Sequence, residues 1–137
     1  MANMTPPSLL ILILGFAITT QYCSADYVLV SPQALDSGDS LNYGPYRFTM
    51  QSDCNLVLYE SGKAIWASNT YRKESTCYCK MQSDGNLVVY DQNRNVVWYS
   101  DSWMGDGGHY VLVLQEDGNV VVYGTARWSS HTYRVAV

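Results

Sequence analysis

The sequence predicts an all-β domain built as a pseudo-three-fold prism, and three observations carry that expectation. One stretch occurs three times without gaps: QSDCNLVLY at 51–59, QSDGNLVVY at 82–90 and QEDGNVVVY at 115–123. A tryptophan follows each copy a few residues on (Trp66, Trp98, Trp128), so the repeating unit is larger than the motif itself. The composition agrees: 12 Tyr stand against 2 Phe, Gly, Asn, Asp and Ser are frequent, and no long Ala/Leu/Glu/Lys periodicity follows residue 25. Such a chain makes strands and tight turns rather than helices.

Taken in order, the first element is not part of that domain. Leu9 to Leu14 and Phe16 to Ile18 form an apolar run of about ten residues, the length of a signal-peptide core and short of the roughly 20 needed to span a bilayer. Cys23, Ser24 and Ala25 offer a small-residue cleavage site, although Met1 to Pro7 carries no Lys or Arg. Residues 1–25 are therefore expected to be a signal peptide, an uncleaved membrane anchor being the alternative, with 26–137 the mature domain and the protein secreted, to an extracellular or vacuolar destination. The sequon Asn3-Met4-Thr5 lies inside the leader and no other is present, so no N-glycan is expected on the mature chain. Cleavage leaves Cys54, Cys77 and Cys79, which suggests one disulfide and one free thiol without specifying the pair.

The stretch with Leu29, Leu35 and Leu41 among turn residues would supply strands to complement the repeats. Each repeat reads as strand, tight turn, strand, short loop, strand. The leading strands are Tyr46–Met50, Cys77–Met81 and Tyr110–Leu114, and the turns are centred on Asp53-Cys54, Asp84-Gly85 and Asp117-Gly118. Strand parity then sorts the side chains. Leu56 and Leu58, Leu87 and Val89, and Val120 and Val122 share core-facing positions. Asn55, Val57 and Tyr59, with their counterparts Asn86, Val88, Tyr90 and Asn119, Val121, Tyr123, face outward. No single sheet buries its aliphatic face alone. Packing three together around the tryptophans gives the prism, with one outer pocket per sheet.

The motif Gln-x-Asp-x-Asn-x-Val-x-Tyr, three times at this spacing, resembles that of the monocot (bulb-type, snowdrop-type) mannose-binding lectins, over residues 26 to about 134. The resemblance implies a β-prism of three four-stranded antiparallel sheets, C-terminal strands exchanged between subunits to give a homodimer or homotetramer, and a mannose site at each intact motif. By match the sites are Gln51, Asp53, Asn55, Val57 and Tyr59; Gln82, Asp84, Asn86, Val88 and Tyr90; and Gln115, Asp117, Asn119, Val121 and Tyr123. In the family the Asp and Asn take the axial 2-hydroxyl, the Gln the 3-hydroxyl and the Tyr the 4-hydroxyl, while the Val meets the sugar's carbon face. The resemblance also implies a Cys54–Cys77 disulfide, and it leaves Cys79, at the position of Phe48 and Leu112, as a small buried hydrophobe. Two departures stand out. After Trp98 the chain reads Tyr99-Ser100-Asp101-Ser102 where Ala67-Ser68-Asn69-Thr70 follows Trp66, and Ser102 stands where taste-modifying relatives carry an interchain cysteine.

The residue chemistry suits a sugar independently, since a carboxylate accepts, an amide donates and accepts, and a phenol does either. Each such bond nets about 1 kcal/mol, so single sites should bind weakly, near millimolar, with linked sites raising avidity by roughly 10²–10⁴. Turn chemistry alone accounts for the repeated Asp but not for an outward Tyr and Gln in every copy. An enzyme is not expected: a glycosidase needs two carboxylates about 5–9.5 Å apart, whereas each copy offers one Asp, with Glu116 an extra in one of them. His109 and His131 lie in no nucleophile motif and read as solvated loop residues. Asp84-Gly85-Asn86 superficially resembles a calcium loop but lacks the run of oxygen ligands ending in Glu, so neither metal nor cofactor is expected. A net charge of −4 gives no footprint for nucleic acid or anionic membrane. The expected partners are mannose and high-mannose N-glycans, in plant defence. The alternative is a storage or taste-modifying relative with little sugar binding.

Overall fold

A computed structural model describes residues 26–72, 76–105, 107–124 and 128–132. The expected signal peptide lies outside the described residues, and so does all but 129–132 of the segment after Trp128, through Val135, that the resemblance implies is exchanged between subunits.

Twelve strands are present among these residues: β1 (Val28–Val30), β2 (Ala34–Leu35), β3 (Ser40–Tyr43), β4 (Tyr46–Met50), β5 (Leu56–Glu60), β6 (Lys63–Ala67), β7 (Cys77–Met81), β8 (Leu87–Asp91), β9 (Val96–Tyr99), β10 (Val111–Leu114), β11 (Val120–Tyr123) and β12 (Trp128–Ser129). They form three four-stranded sheets in the orders β3-β4-β5-β6, β2-β7-β8-β9 and β1-β10-β11-β12, antiparallel throughout the pairings. The three repeats each supply three consecutive strands. The N-terminal segment deals one strand to each sheet in reverse order, so residues 28–43 tie all three repeats together.

Registry lines up one inward row per sheet. Leu41, Phe48, Leu58 and Trp66 are cross-strand neighbours in the first, Leu35, Cys79, Val89 and Trp98 in the second, and Leu29, Leu112, Val122 and Trp128 in the third. Side chains directly across an antiparallel ladder share a face, so each row presents a leucine, a residue of variable size, an aliphatic and a tryptophan to the axis. The tryptophans meet there edge to face, with ring centroids 5.7, 5.6 and 5.7 Å apart, the mutual arrangement that the ring quadrupole favours. Phe48, Leu58, Cys79, Val89, Leu112 and Val122 are fully buried around them. Cys79 is a free thiol at the Phe48 and Leu112 position, as expected, and burial pushes its pKa up. It is therefore inert packing.

The turns lock the repeats to one another in a cycle. Cys54, in the first turn, is bonded to Cys77 at the start of the second repeat. Gly85, in the second turn, lies against Tyr110 at the head of the third repeat, and Gly118, in the third, lies under Tyr46 of the first. Positions 54, 85 and 118 all have positive φ (68°, 85° and 79°), the left-handed residue that lets a type I turn rejoin a hairpin. Glycine serves there twice; in the first repeat a disulfide-bonded cysteine takes its place.

Candidate functional site

Each motif folds into the same cup on the outer face of its sheet. The Gln51 N–H donates to Asn55 O at 3.0 Å, Gln82 N–H to Asn86 O at 2.9 Å and Gln115 N–H to Asn119 O at 2.8 Å. These bonds close five-residue turns that bring Gln, Asp and Asn to one rim. Inside each turn the Asp caps the backbone: Asp53, Asp84 and Asp117 each accept on Oδ1 from the N–H of Asn55, Asn86 and Asn119, at 3.0, 2.9 and 2.9 Å. One carboxylate oxygen is thereby held by the turn, and the other keeps lone pairs for further donors.

The asparagines are oriented more tightly still. Asn55 Oδ1 accepts from the Ser68 hydroxyl at 3.2 Å and the Thr70 N–H at 3.3 Å. Asn86 Oδ1 lies 3.1 Å from the Ser100 hydroxyl and 3.2 Å from the Ser102 N–H. Asn119 Oδ1 takes the Ser129 hydroxyl at 2.5 Å, the Ser130 hydroxyl at 3.1 Å and the Thr132 N–H at 3.3 Å. With the amide oxygen turned into the protein three times over, Nδ2 is left as the outward donor. The serines also receive the N–H of Leu56, Leu87 and Val120 at 3.0, 3.0 and 2.9 Å. The hydroxyl two residues further on binds the turn carbonyl: Thr70 to Cys54 at 2.6 Å, Ser102 to Gly85 at 2.7 Å and Thr132 to Gly118. Ser68, Ser100 and Ser130, with Thr70, Ser102 and Thr132, therefore belong to the site's supporting shell, a role that the sequence reading gave to none of them. Their signal was present: a Ser two residues after each Trp and a Ser or Thr four after.

The last two members close each cup. Gln51, Gln82 and Gln115 each hydrogen-bond the phenol of their own motif tyrosine, Tyr59 (2.5 Å), Tyr90 and Tyr123. For Gln82 the orientation that satisfies every partner has Oε1 accepting from the Tyr90 hydroxyl and Nε2 donating to Asp84 Oδ2 at 3.0 Å and Oδ1 at 3.1 Å. The valines sit deeper than an outward position suggests. Val57, Val88 and Val121 are 3%, 3% and 6% exposed, so they form the apolar floor of a cup with polar walls rather than a projecting surface. All fifteen motif residues are thus brought together, five to a sheet. Ser102 is 2% exposed and held by its bond to Gly85. His109 and His131 are exposed; His131 lies between the Ser130 and Thr132 clamps of the third cup, and its N–H donates to Ser129 Oγ at 3.1 Å.

The surroundings of the three cups differ. Across the ladder from the motif tyrosines stand Arg47, Tyr78 and Val111. The Arg47 guanidinium lies 5.3 Å from the Tyr59 ring centroid, Tyr78 stacks on Tyr90 at 5.5 Å, and Tyr123, opposite the valine, is 40% exposed. Chemically, each cup presents a carboxylate oxygen, an amide donor, a second amide and a phenol around a small apolar floor. That set pairs with a ligand carrying adjacent hydroxyls and a C–H face. Among the described residues no three His, Cys, Asp or Glu side chains are grouped to hold a metal ion.

No protein-family model matches the chain. A mannose-specific lectin of Aloe arborescens is 47% identical over 109 residues, covering 80% of this chain and 100% of that protein. Among solved structures, a monomeric monocot mannose-binding lectin from Gastrodia elata superposes with a TM-score of 0.73 at 47% identity, covering 78% of this chain and 96% of that one. The mannose-specific agglutinin of snowdrop (Galanthus nivalis), solved in complex with methyl-α-D-mannoside, gives a TM-score of 0.70 at 48% identity over 80% of this chain and 100% of its own. With the Aloe relative matched along its whole length and the three-sheet prism shared with the snowdrop agglutinin, the chain belongs to the monocot, or bulb-type, mannose-binding lectin family.

Proposed function

We propose that this chain is a metal-independent lectin that binds terminal mannose of glycans at three sites, Gln51/Asp53/Asn55/Val57/Tyr59, Gln82/Asp84/Asn86/Val88/Tyr90 and Gln115/Asp117/Asn119/Val121/Tyr123, without catalysing a reaction. The observation that carries the proposal is the common orientation of the three asparagines. Each has its Oδ1 tied down by a Ser hydroxyl and a backbone N–H. Each turn therefore offers an amide donor (Asn Nδ2) and, two residues before it, a carboxylate acceptor (Asp), the kind of pair that one hydroxyl, itself donor and acceptor, can satisfy. An axial 2-hydroxyl reaches both. Glucose, with that hydroxyl equatorial, would leave these partly buried partners to water, at a cost below the roughly 1–3 kcal/mol of a fully buried unmet group.

Titration calorimetry with methyl α-mannoside and methyl α-glucoside tests this. Mannoside should bind weakly at three sites, glucoside markedly less, and EDTA should change neither. Asp84→Ala should reduce the stoichiometry from three to two. Equal affinity for the two sugars, or loss of binding on chelation, would overturn the assignment. Val88→Asp, which the outward position of Val88 recommends on sequence grounds, is a poor probe because that side chain is the buried floor.

We read residues 1–25 as a cleaved signal peptide and the destination as secretory. The Cys54–Cys77 disulfide supports that reading, since such bonds persist in oxidising compartments. A defensive role toward mannose-bearing surfaces follows from multivalent display. Assembly into a dimer or tetramer is proposed through the segment beyond Thr132, because β12 itself pairs with β11 of its own chain. Truncation after Thr132 should then give a monomer by light scattering, and a full-length chain that is already monomeric would refute it.

A further inference from the structure

The three sheets present the same five motif residues but different walls. On the first sheet, a one-residue irregularity between Leu58 and Tyr59 pairs Tyr59 with Ala64 and Val57 with Ala67. The second sheet repeats that irregularity between Val89 and Tyr90, pairing Tyr90 with Val96 and Val88 with Tyr99. On the third, Ser129 faces Val121, and its hydroxyl is bound to Asn119. Cross-strand neighbours share a face, so the β6 side of the first cup is two methyl groups, whereas the β9 side of the second is an isopropyl group and a phenol ring. Val96 and Tyr99 are 53% and 56% exposed. With Gln82, Asn86, Val88 and Tyr90 they line one continuous cavity of about 350 Å³. On the opposite side of that cup, Tyr90 is stacked on Tyr78 with ring planes 25° apart.

We infer that Val96 and Tyr99 form a second subsite beside the second cup, which takes the C–H face of the sugar next to a terminal mannose and makes this site selective for manno-oligosaccharides over the monosaccharide. The inference rests on the mannose-binding reading of the cup. A mannose whose 2-, 3- and 4-hydroxyls are engaged continues through its C1 oxygen, so the next ring lies outside the cup, where Val96 and Tyr99 extend the same cavity. An apolar ring face meeting an aromatic face loses water from both, and the phenol hydroxyl at the rim keeps a polar handle for that ring's hydroxyls. Alanines offer no such face, so the first cup reads the terminal residue alone.

Two-dimensional NMR of the mature chain separates the sites, because the side-chain amides of Asn55 and Asn86 each report their own cup. Titrations use methyl α-mannoside and α1,2-, α1,3- and α1,6-linked mannobiose. For at least one linkage, the preference for mannobiose over methyl mannoside should be about three- to tenfold greater at Asn86 than at Asn55, the range expected for one aromatic contact. Tyr99→Ala should bring the Asn86 preference down to that of Asn55. Ala67→Tyr should raise the Asn55 preference, which keeps the proposal testable if the first variant folds poorly. Equal preferences at the two reporters for every linkage, or an Asn86 preference unchanged in Tyr99→Ala, would overturn the subsite while leaving the mannose site standing. Amides that methyl mannoside fails to move would instead overturn the reading of the cup itself.

Discussion

Gly118 lies beneath the ring of Tyr46, so close that a Cβ on residue 118 would come within 2.5 Å of a ring carbon. This contact closes the cycle of repeats, joining the turn of the third to the first strand of the first. Tyr46 is itself buried, with its hydroxyl 3.4 Å from Glu60, so the ring has little room to retreat. Gly118→Ala should therefore cost about 2–4 kcal/mol, combining left-handed backbone strain with overpacking. Urea denaturation measures it. A loss below about 0.5 kcal/mol would show that the third turn does not depend on this contact.

Cys54 occupies the equivalent turn position at φ 68°, and its disulfide replaces the aromatic-over-glycine contact of the other two repeats. Closing a loop between residues 23 apart should contribute about 3 kcal/mol in the chain-entropy model. The left-handed backbone at residue 54 is required whether or not the bond is present. In a Cys77→Ala background, Cys54→Gly should accordingly be more stable than Cys54→Ala by about 1 kcal/mol. Equal stabilities would mean that the disulfide, rather than the turn, imposes that conformation. Mass spectrometry of the unreduced protein should find the buried Cys79 free, open to alkylation only after unfolding.

The sheets were legible because the repeat supplied three readings of one pattern. Period-two alternation assigned Leu56, Leu58 and their counterparts to the core, and the recurrent tryptophan placed Trp66, Trp98 and Trp128 on the axis, where they meet. The isolated Leu29, Leu35 and Leu41 marked three strands, one for each sheet. Other features had no local signature. The burial of Val57, Val88 and Val121 arises from cup walls that rise around them, which alternation alone does not encode. The Gly118–Tyr46 and Gly85–Tyr110 contacts join different repeats, so nothing in either repeat announces its partner. The Ser and Thr clamps were written in the sequence, but two residues after a tryptophan in a loop their polarity reads as ordinary turn chemistry. Only the asparagine they hold gives them a purpose.

Asp91 ends β8 by gathering its turn. It accepts from the Asn93 and Asn95 N–H groups on Oδ1, both at 2.9 Å, and from Asn95 Nδ2 on Oδ2 at 3.0 Å. The Asn95 side chain and then its backbone N–H hold the carboxyl below the ordinary carboxylate range. Burial partly opposes them, while the Asn93 N–H and the Arg72 charge add to the lowering. A folded-state pKa below the unfolded one contributes stability that is present above the unfolded value, about 3.9, and lost as pH falls through the folded value. Asp91→Asn should thus be less stable than wild type near neutrality, with the difference shrinking below about pH 4. A difference that stays constant down to pH 2 would assign the effect to shape rather than charge.

Ser100 ties the fold to the second site, because one hydroxyl serves both. Its oxygen accepts the buried Leu87 N–H at 3.0 Å, and it lies 3.1 Å from Asn86 Oδ1 and 2.6 Å from Ser102 Oγ. Ser102 spends its own proton on Gly85 O, so the single Ser100 proton is left to serve Asn86 and Ser102. Ser100→Ala removes the partner of a buried N–H, at about 1–3 kcal/mol, and leaves Asn86 Oδ1 with the Ser102 N–H alone. The amide then gains freedom to turn, and the donor facing the ligand is no longer fixed in advance. Affinity for methyl mannoside at the second site should fall about three- to tenfold, while the first and third sites, clamped by Ser68 and Ser130, keep theirs. Ser100→Thr, which retains the hydroxyl, should recover most of the binding even if the extra methyl costs stability. The amide resonances of Asn55, Asn86 and Asn119 read the three sites in one titration. A uniform loss at all three would mark Ser100 as a stability residue only, and an unchanged Asn86 response would show that the turn alone holds the amide.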